Sequence, residues 1–266
     1  GLARFDGREF KVYSTLDGLL SNEVNGLQFD TRDNLWILHP MGVTRFDGLH
    51  FLKFPLPAAR LRDVQLKRIV QLQDTVFIST NFGLTGKIHN DSLKFQENSI
   101  TDNKELFHTH LAPTGEICQY YSDSSLVVKS GAETFSIAVG PEAGRVFSMF
   151  SLKESLVLQS TEGLFRLDIK NKRIQKLSLI ILNRVLLYDQ KNDLFWTTRG
   201  GTLFKESLKN GILVRDTVLK NTSINQVLID SEGNTWLASN GRGLYKHFVQ
   251  DFAQSGLAKS SGVMAI

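Results

Sequence analysis

A unit of about 40 residues recurs along the 266-residue chain, and this repeat constrains the fold more than any other feature of the sequence. The stretch GLARFDGREF at residues 1–10 returns 41 residues later as GVTRFDGLHF at residues 42–51. A second column of positions, each placed after a turn and at the start of a short apolar run, recurs at spacings of 41, 41, 39, 38 and 41 residues. Its members are Trp36, Phe77, Cys118, Val157, Phe195 and Trp236.

Inside a unit, apolar residues alternate with a period of two, which is typical of short strands. The first complete unit contains four such runs, at residues 24–29, 35–38, 43–46 and 51–54. Asp47-Gly48 between the last two predicts a hairpin, because glycine adopts positive φ without strain. Four short antiparallel strands in 40 residues are typical of one blade of a β-propeller, whereas a β-sandwich gives no reason for six repeats. We therefore predict an all-β, seven-bladed β-propeller with four-stranded antiparallel blades.

The repeat also divides the chain. Residues 1–17 hold the third and fourth strands of a blade, and six repeats follow at about 18–255. Residues 20–24 align with residues 259–263, so we expect residues 256–266 to form the first strand of a further or closing blade. We accordingly expect residues 1–266 to be a single β-propeller domain, or a portion excised from a longer protein.

Composition narrows the class of protein. The formal charge is +4, but lysine and arginine are scattered along the chain, which argues against nucleic-acid binding. One cysteine excludes an intramolecular disulfide. The sequence contains neither a signal peptide nor an apolar stretch long enough to span a bilayer. We expect no contact with a membrane except through a larger parent protein.

Two units carry a resemblance to a known family. The stretch DGLLSNEVNGLQFDTRDNLWILHPMGVTRFDGLHF at residues 17–51 resembles the two-component regulator propeller repeat. TSINQVLIDSEGNTWLASNGRGLYKH at residues 222–247 is similar to the same pattern. Residues 60–220 keep the spacing of the repeat but few of its motif residues. The resemblance therefore extends over the chain by period, and over about a third of it by motif.

This resemblance implies a role in signalling. Such repeats look like the periplasmic sensor regions of hybrid two-component histidine kinases, in which tandem propellers precede a small β-domain, a membrane helix and a kinase core. Members that respond to sugars recognise oligosaccharides. The resemblance thus implies an extracytoplasmic ligand-sensing domain without catalysis or cofactor, partnered by an oligosaccharide-type ligand, a neighbouring propeller and a second copy of the receptor.

Candidate ligand-binding residues follow from the general behaviour of propellers, in which loops on a rigid scaffold carry function. We expect the ligand face to carry the loops between second and third strands and between blades. The second-to-third loops include His39, Asn81, Tyr121, Arg199 and Arg242. Hydrogen-bond donors with one aromatic ring suit a polar, sugar-like ligand, although solvated loop tips are the competing interpretation for each residue.

Other conspicuous residues have structural interpretations. A column that exchanges tryptophan for valine, phenylalanine and cysteine indicates packing between blades rather than sugar stacking, and it makes Cys118 a small buried hydrophobe. His108 and His110 share one strand face, but no third ligand has matching spacing nearby, so we predict no metal site. SEGNTW resembles the Asp-box hairpin of some glycosidase propellers, yet Ser231 occupies its aspartate position, which favours a plain turn.

Three classes of function remain. The first is a ligand-binding sensor domain, the second a protein-interaction propeller scaffold, and the third a propeller glycosidase or lyase. The sequence lacks the Gly-His and Trp-Asp dipeptides of WD repeats, which lowers the second class. No local catalytic motif is visible, although carboxylates contributed by separate blades would leave no local spacing. Coding sequence downstream for a membrane helix and a kinase core would select the sensor.

Overall fold

The computed structural model describes residues 1–57, 65–72, 74–81, 85–96, 104–178, 183–209, 212–250 and 260–265. These residues form one two-stranded hairpin and six four-stranded antiparallel sheets. Within the described ranges, the one helical segment is a 3-10 turn at Pro141–Ala143. The fold is therefore all-β with four-stranded antiparallel sheets, as the repeat predicts. Contacts divide the chain into unit 1, residues 1–111 and 115–138, and unit 2, residues 112–114 and 139–266.

Unit 1 contains the hairpin and three sheets, each with its strands in sequence order. The hairpin pairs β1 (Leu2–Phe5) with β2 (Phe10–Tyr13). The first sheet consists of β3 (Gly26–Phe29), β4 (Leu35–His39), β5 (Gly42–Phe46) and β6 (Phe51–Pro55). The second consists of β7 (Leu66–Leu72), β8 (Thr75–Thr80), β9 (Thr85–His89) and β10 (Ser92–Gln96). The third consists of β11 (Leu106–Leu111), β12 (Ile117–Tyr121), β13 (Ser125–Ser130) and β14 (Glu133–Ala138).

Unit 2 contains the other three sheets, again in sequence order. The fourth sheet consists of β15 (Val146–Leu152), β16 (Ser155–Ser160), β17 (Gly163–Asp168) and β18 (Arg173–Ser178). The fifth consists of β19 (Arg184–Asp189), β20 (Leu194–Arg199), β21 (Thr202–Lys209) and β22 (Ile212–Leu219). The sixth consists of β23 (Ile224–Ile229), β24 (Thr235–Ser239), β25 (Leu244–Gln250) and β26 (Ser260–Ala265).

Within each unit, the first strands of successive sheets lie beside one another, β3 next to β7 and β7 next to β11 in unit 1, and β15, β19 and β23 in unit 2. Every member of the repeat column lies on the second strand of a sheet. Its side chains are buried in four cases, namely Trp36, Cys118, Val157 and Phe195, and half-buried at Phe77 and Trp236. Trp36 packs in an apolar cluster that joins β4 and β5 to β7 and β8. This burial agrees with the packing interpretation of the column, which stays a prediction.

The third strand of a repeat begins with a glycine followed by an apolar residue, and the glycine has a steric reason. Gly42 has φ +145°, and a Cβ atom placed on it would lie 2.3 Å from the carbonyl oxygen of Phe54. A side chain at this position would therefore push β5 away from β6. The next residue, Val43, is fully buried, and so is Leu203 at the corresponding place in the fifth sheet. This pair of residues lets the backbone approach its neighbour and then buries an apolar side chain.

The C-terminal segment differs from the prediction. Residues 256–266 were expected to begin a further or closing blade, but Ser260–Ala265 pairs with β25 as the fourth strand of the sixth sheet, and residues 256–259 and 266 lie outside the described residues. The outer edge of β25 would otherwise carry unpaired N–H and C=O groups, and β26 satisfies them. The alignment with residues 20–24 rested on small residues that do not distinguish a first strand from a fourth.

The hairpin at the N-terminus has the two strands that the half-blade prediction requires, since residues 1–17 contain β1 and β2. Six four-stranded sheets are present among the described residues, and a count of seven blades stays a prediction.

Candidate functional site

The turn between the first two strands of the first sheet is organised by one carboxylate. Asp30 Oδ1 accepts hydrogen bonds from the backbone N–H groups of Arg32 and Asn34, each at 2.9 Å. Its Oδ2 accepts from Asn34 Nδ2 and from Trp36 Nε1, also at 2.9 Å each. Partial burial opposes ionisation of Asp30, but these four hydrogen bonds outweigh it and lower its pKa. The carboxylate therefore fixes both the turn and the orientation of the Trp36 indole.

The sixth sheet repeats this turn. Asp230 accepts from the N–H groups of Glu232 and Asn234, from Asn234 Nδ2 and, at 2.7 Å, from Trp236 Nε1. Ser231 lies inside the turn, so the interpretation of SEGNTW as a turn is confirmed. The aspartate that organises it stands one position before Ser231. The residues of the repeat motif that carry the family resemblance thus form contacts within the scaffold.

Three of the five predicted ligand-binding residues lie in unit 1 and have contacts within the chain. His39, the last residue of β4, is fully buried, with Nδ1 2.8 Å from the Glu23 carbonyl oxygen and Nε2 3.0 Å from Thr44 Oγ1. Burial lowers its pKa. Tyr121, the last residue of β12, is 2% exposed.

Asn81 follows β8 and ties two sheets together. Its Oδ1 accepts from the Gln65 N–H at 2.7 Å, and its carbonyl oxygen accepts from the Leu106 N–H at 2.9 Å. The side chains of His39 and Tyr121 are thus enclosed by the chain, and Asn81 contributes to the scaffold. A ligand-binding role for these three residues stays a prediction.

The other two predicted residues lie in unit 2 and are exposed. Arg199 ends β20, and Arg242 lies in the turn between β24 and β25, where its N–H donates to Ser239 Oγ at 3.0 Å. Both face solvent at the ends of second strands, as the prediction for the ligand face requires. Their binding role is likewise a prediction.

The two histidines of β11 occupy different surroundings. The ring of His108 stacks on Tyr120 with centroids 6.4 Å apart. Burial lowers the pKa of His110 to about 4, and the positive charge of Arg68 adds to the effect. Among the residues that the structure describes, no group of three or more histidine, cysteine or acidic side chains is arranged to hold a metal ion.

A recess of about 370 Å³ lies in unit 1 among the first strands of the three sheets. We call it the Arg68 recess. Its lining residues come from β3 and the turn after it, from β7 and from β11; they are Gln28, Phe29, Asp30, Thr31, Arg68, Ile69, Val70, Gln71, His110 and Leu111. Gln71 joins the sheets at its edge, because its Oε1 accepts from the Thr31 N–H at 2.8 Å and its Nε2 donates to Thr31 Oγ1 at 3.2 Å.

A second recess of about 300 Å³ adjoins it and shares Asp30 and Gln71 with it. Two ion pairs join the first and second sheets here, Arg32 to Asp74 at 2.5 Å and Arg45 to Asp91 at 2.7 Å. Arg45 also lies over the Trp36 ring, 5.8 Å from its centroid. Four charged side chains of this recess are thus paired with one another, and the fifth, Asp30, is held by its turn.

Sequence reasoning missed the Arg68 recess. First strands run towards it and second strands run away from it, so it lies at the opposite strand ends from His39, Asn81 and Tyr121. Its residues come from three successive repeats and have no local spacing. The repeat period itself was the available signal, since Phe29, Arg68 and His110 lie on the first strands of consecutive units.

No protein-family model and no curated protein matches the chain. Solved structures do match it. A streptogramin B lyase structure superposes with a TM-score of 0.66 at 12% identity, over 87% of this chain and 80% of that one. The extracellular domain of the hybrid two component system BT4673 from B. thetaiotaomicron superposes with a TM-score of 0.63 at 14% identity, over 89% of this chain and 32% of that one. The chain thus spans about a third of that domain's length.

The WD40 beta propeller domain of Doa1 superposes with a TM-score of 0.55 at 11% identity, over 83% of this chain and 76% of that one. In the described part of the chain, no helix is long and apolar enough to cross a membrane. Identities this low establish architecture and nothing finer. The repeated four-stranded sheets and these superpositions together establish that the chain has a β-propeller fold.

Proposed function

We propose that this chain is an extracytoplasmic, periplasmic ligand-sensing propeller domain of a two-component signal-transduction receptor, and that it recognises an oligosaccharide-type ligand. The observation that carries the proposal is the pair of Asp–Trp turns at Asp30–Trp36 and Asp230–Trp236. These turns are the part of the sequence that resembles the two-component regulator propeller repeat, and the structure of an extracellular domain of a hybrid two-component system shares the fold.

The mechanism we infer is a population shift in a receptor dimer. Ligand bound at a propeller, or between this propeller and a neighbouring one in the full receptor, favours one arrangement of the extracytoplasmic domains. Only a difference in ligand affinity between the two arrangements drives such a switch, and allosteric couplings are typically about 1–3 kcal/mol. The domain itself signals without chemistry or cofactor, and the kinase core belongs to the parent receptor.

Calorimetric titration of the chain with oligosaccharide pools tests the proposal. Binding without turnover of the sugar supports a sensor. Cleavage of the sugar contradicts it and supports a propeller lyase or glycosidase, a class to which the fold of the streptogramin B lyase lends some weight. If the chain neither binds nor cleaves the sugar, the result supports the remaining alternative. That alternative is a protein-interaction scaffold of the kind suggested by the WD40 fold.

The exposed arginines of unit 2 give a sharper test of the ligand face. Replacing both Arg199 and Arg242 with alanine is expected to abolish the response to the ligand, because both guanidinium groups are lost from the ends of second strands. The melting temperature should stay nearly unchanged, since both residues are exposed. The measurement pairs a ligand titration with a thermal melt, and a normal response in the double variant removes this face from consideration.

A further inference from the structure

The Arg68 recess combines a charge with an exposed aromatic ring. We propose that it binds a small molecule carrying a carboxylate on a hydroxylated ring, with the carboxylate paired to Arg68 and the ring lying on Phe29. This site is separate from the ligand face proposed above, because it lies at the opposite strand ends of unit 1 from His39, Asn81 and Tyr121. It therefore stands independently of the sensing role.

Arg68 supplies the charge. None of the ion pairs formed among the described residues includes Arg68. Its side chain is exposed to solvent, and nearby protein atoms lower its pKa through desolvation. An arginine remains protonated at neutral pH, so the recess presents a cation to solvent. The planar guanidinium matches a carboxylate with two parallel hydrogen bonds.

The acidic residue in the lining forms no ion pair with Arg68. Asp30 is the one carboxylate among the recess residues, and its two oxygens already accept four hydrogen bonds from the turn and from Trp36. That carboxylate is committed to the scaffold. The positive charge of Arg68 is consequently available to an anion that enters from solvent.

Phe29 supplies the platform for a ring. Its side chain is 62% exposed, although it lies on the first strand of a sheet whose central strands are buried. Ile69 and Val70 also line the recess and are each 5% exposed. An exposed aromatic ring beside buried apolar residues and a few polar groups is typical of a small-molecule site.

Neutral polar groups complete the lining. With a pKa of about 4, His110 is uncharged near pH 7 and adds hydrogen-bonding capacity without a second positive charge. The amides of Gln28 and Gln71 lie in the same lining, where Gln28 Nε2 donates to the Phe29 carbonyl oxygen and Gln71 is hydrogen-bonded to Thr31. One cation beside one carboxylate that the turn already holds suits a ligand with a single negative charge and several hydroxyls better than a multiply charged phosphate.

Glucuronate and glucose are the matched probes, since they differ by a carboxylate in place of a hydroxymethyl group. Saturation-transfer NMR and calorimetry on the full chain are expected to show millimolar binding of glucuronate, as befits so small a ligand. Glucose is expected to bind about tenfold more weakly or worse, because it lacks the charge-assisted hydrogen bonds. Absence of glucuronate binding, or equal affinity for the two sugars, overturns the proposal.

Variants locate the site. Arg68→Gln is expected to weaken glucuronate binding about tenfold or more, whereas Lys67→Gln, which removes the same charge from the adjacent exposed position of β7, should leave it unchanged. Phe29→Ala should weaken glucuronate and leave any sulfate binding unaltered. An unchanged affinity in Arg68→Gln, or equal loss in both charge variants, overturns the proposal.

A replacement variant and a competition experiment with sulfate complete the test. If Arg68→Gln does not fold, judged by circular dichroism, Arg68→Lys replaces it. That variant keeps the charge and loses the paired geometry, so a several-fold loss of glucuronate affinity is expected. Sulfate that competes fully with glucuronate while Phe29→Ala has no effect identifies a general anion site, and this outcome contradicts the proposed ligand class.

Discussion

At the scale of single residues, Asp30 and Asp230 each concentrate four hydrogen bonds on one carboxylate. Asp30→Ala is expected to destabilise the chain by about 2–3 kcal/mol, because two backbone N–H groups and the indole N–H of a 4% exposed tryptophan lose a charged acceptor. Urea unfolding measures the change. The matched control is Asp74→Ala, which breaks an exposed ion pair with Arg32 and should cost less than about 1 kcal/mol. Equal losses in the two variants would contradict the role assigned to the turn.

The same carboxylates predict a response to acid. Hydrogen bonds lower the pKa of Asp30 and Asp230 below 3.8 despite partial burial, and Lys104 and Ser125 hold that of Asp123 at about 2 against the same opposing effect. A carboxyl group with a lowered pKa in the folded state stabilises the fold above its unfolded pKa, and this contribution is lost as pH falls through the folded value. The urea midpoint should therefore fall steeply between about 4 and 2, after an earlier decline that begins near pH 6.5 because burial holds the pKa values of His110 and His247 at about 4. A midpoint that rises over that acid range would refute the assignment.

At the scale of elements, β21 and β22 are joined across their register by an ion pair whose carboxylate is buried. Glu206 is fully buried, its Oε1 lies 2.5 Å from Arg215 Nε, and Asn183 Nδ2 donates to the same oxygen at 2.9 Å. Gln159 on β16 donates to the Asn183 carbonyl oxygen at 3.0 Å and so links the fourth sheet to this group. The pair therefore fixes both a strand register and the contact between neighbouring sheets of unit 2.

Arg215→Met is expected to destabilise the chain by about 2–3 kcal/mol, since the buried Glu206 carboxylate would keep only its hydrogen bond from Asn183. Adding Glu206→Leu should recover most of that loss, because an apolar pair of similar volume removes the desolvation penalty. Urea unfolding of the single and double variants provides the double-mutant cycle. Arg173→Met, which breaks an ion pair whose arginine side chain is 60% exposed, serves as the control and should change stability by less than about 1 kcal/mol. A double variant no more stable than Arg215→Met would show that the charge is not the cause.

At the scale of the whole molecule, the architecture predicts a simple spectrum. Far-ultraviolet circular dichroism should show strand and almost no helix, because the described helical content is one 3-10 turn at Pro141–Ala143. A spectrum with a strong helical component would refute the fold.

How much of this molecule the sequence foretells differs between scaffold and site. The period predicts the strands because each repeat must bury the same positions, so Trp36 and Val43 reveal their strands without any structure. The position of Ser260–Ala265 in its sheet was predicted wrongly, because its small residues carry no pattern that separates an inner strand from an outer one. The Arg68 recess was not predicted, because convergence of Phe29, Arg68 and His110 arises from packing among three sheets. Long-range packing of that kind leaves no trace in local spacing.

The positions of the indole rings have an optical consequence. The chain has three tryptophans, of which Trp36 belongs to unit 1 and Trp196 and Trp236 to unit 2. A variant with phenylalanine at positions 196 and 236 therefore emits from unit 1 alone, and a variant with phenylalanine at position 36 emits from unit 2 alone. The indoles of Trp36 and Trp236 are each bound to a carboxylate, so loss of either turn changes the emission of its own half. Each unit thus contains its own fluorescent tryptophan. Comparing the change in emission of the two variants during unfolding reveals whether the two units lose structure together or one after the other.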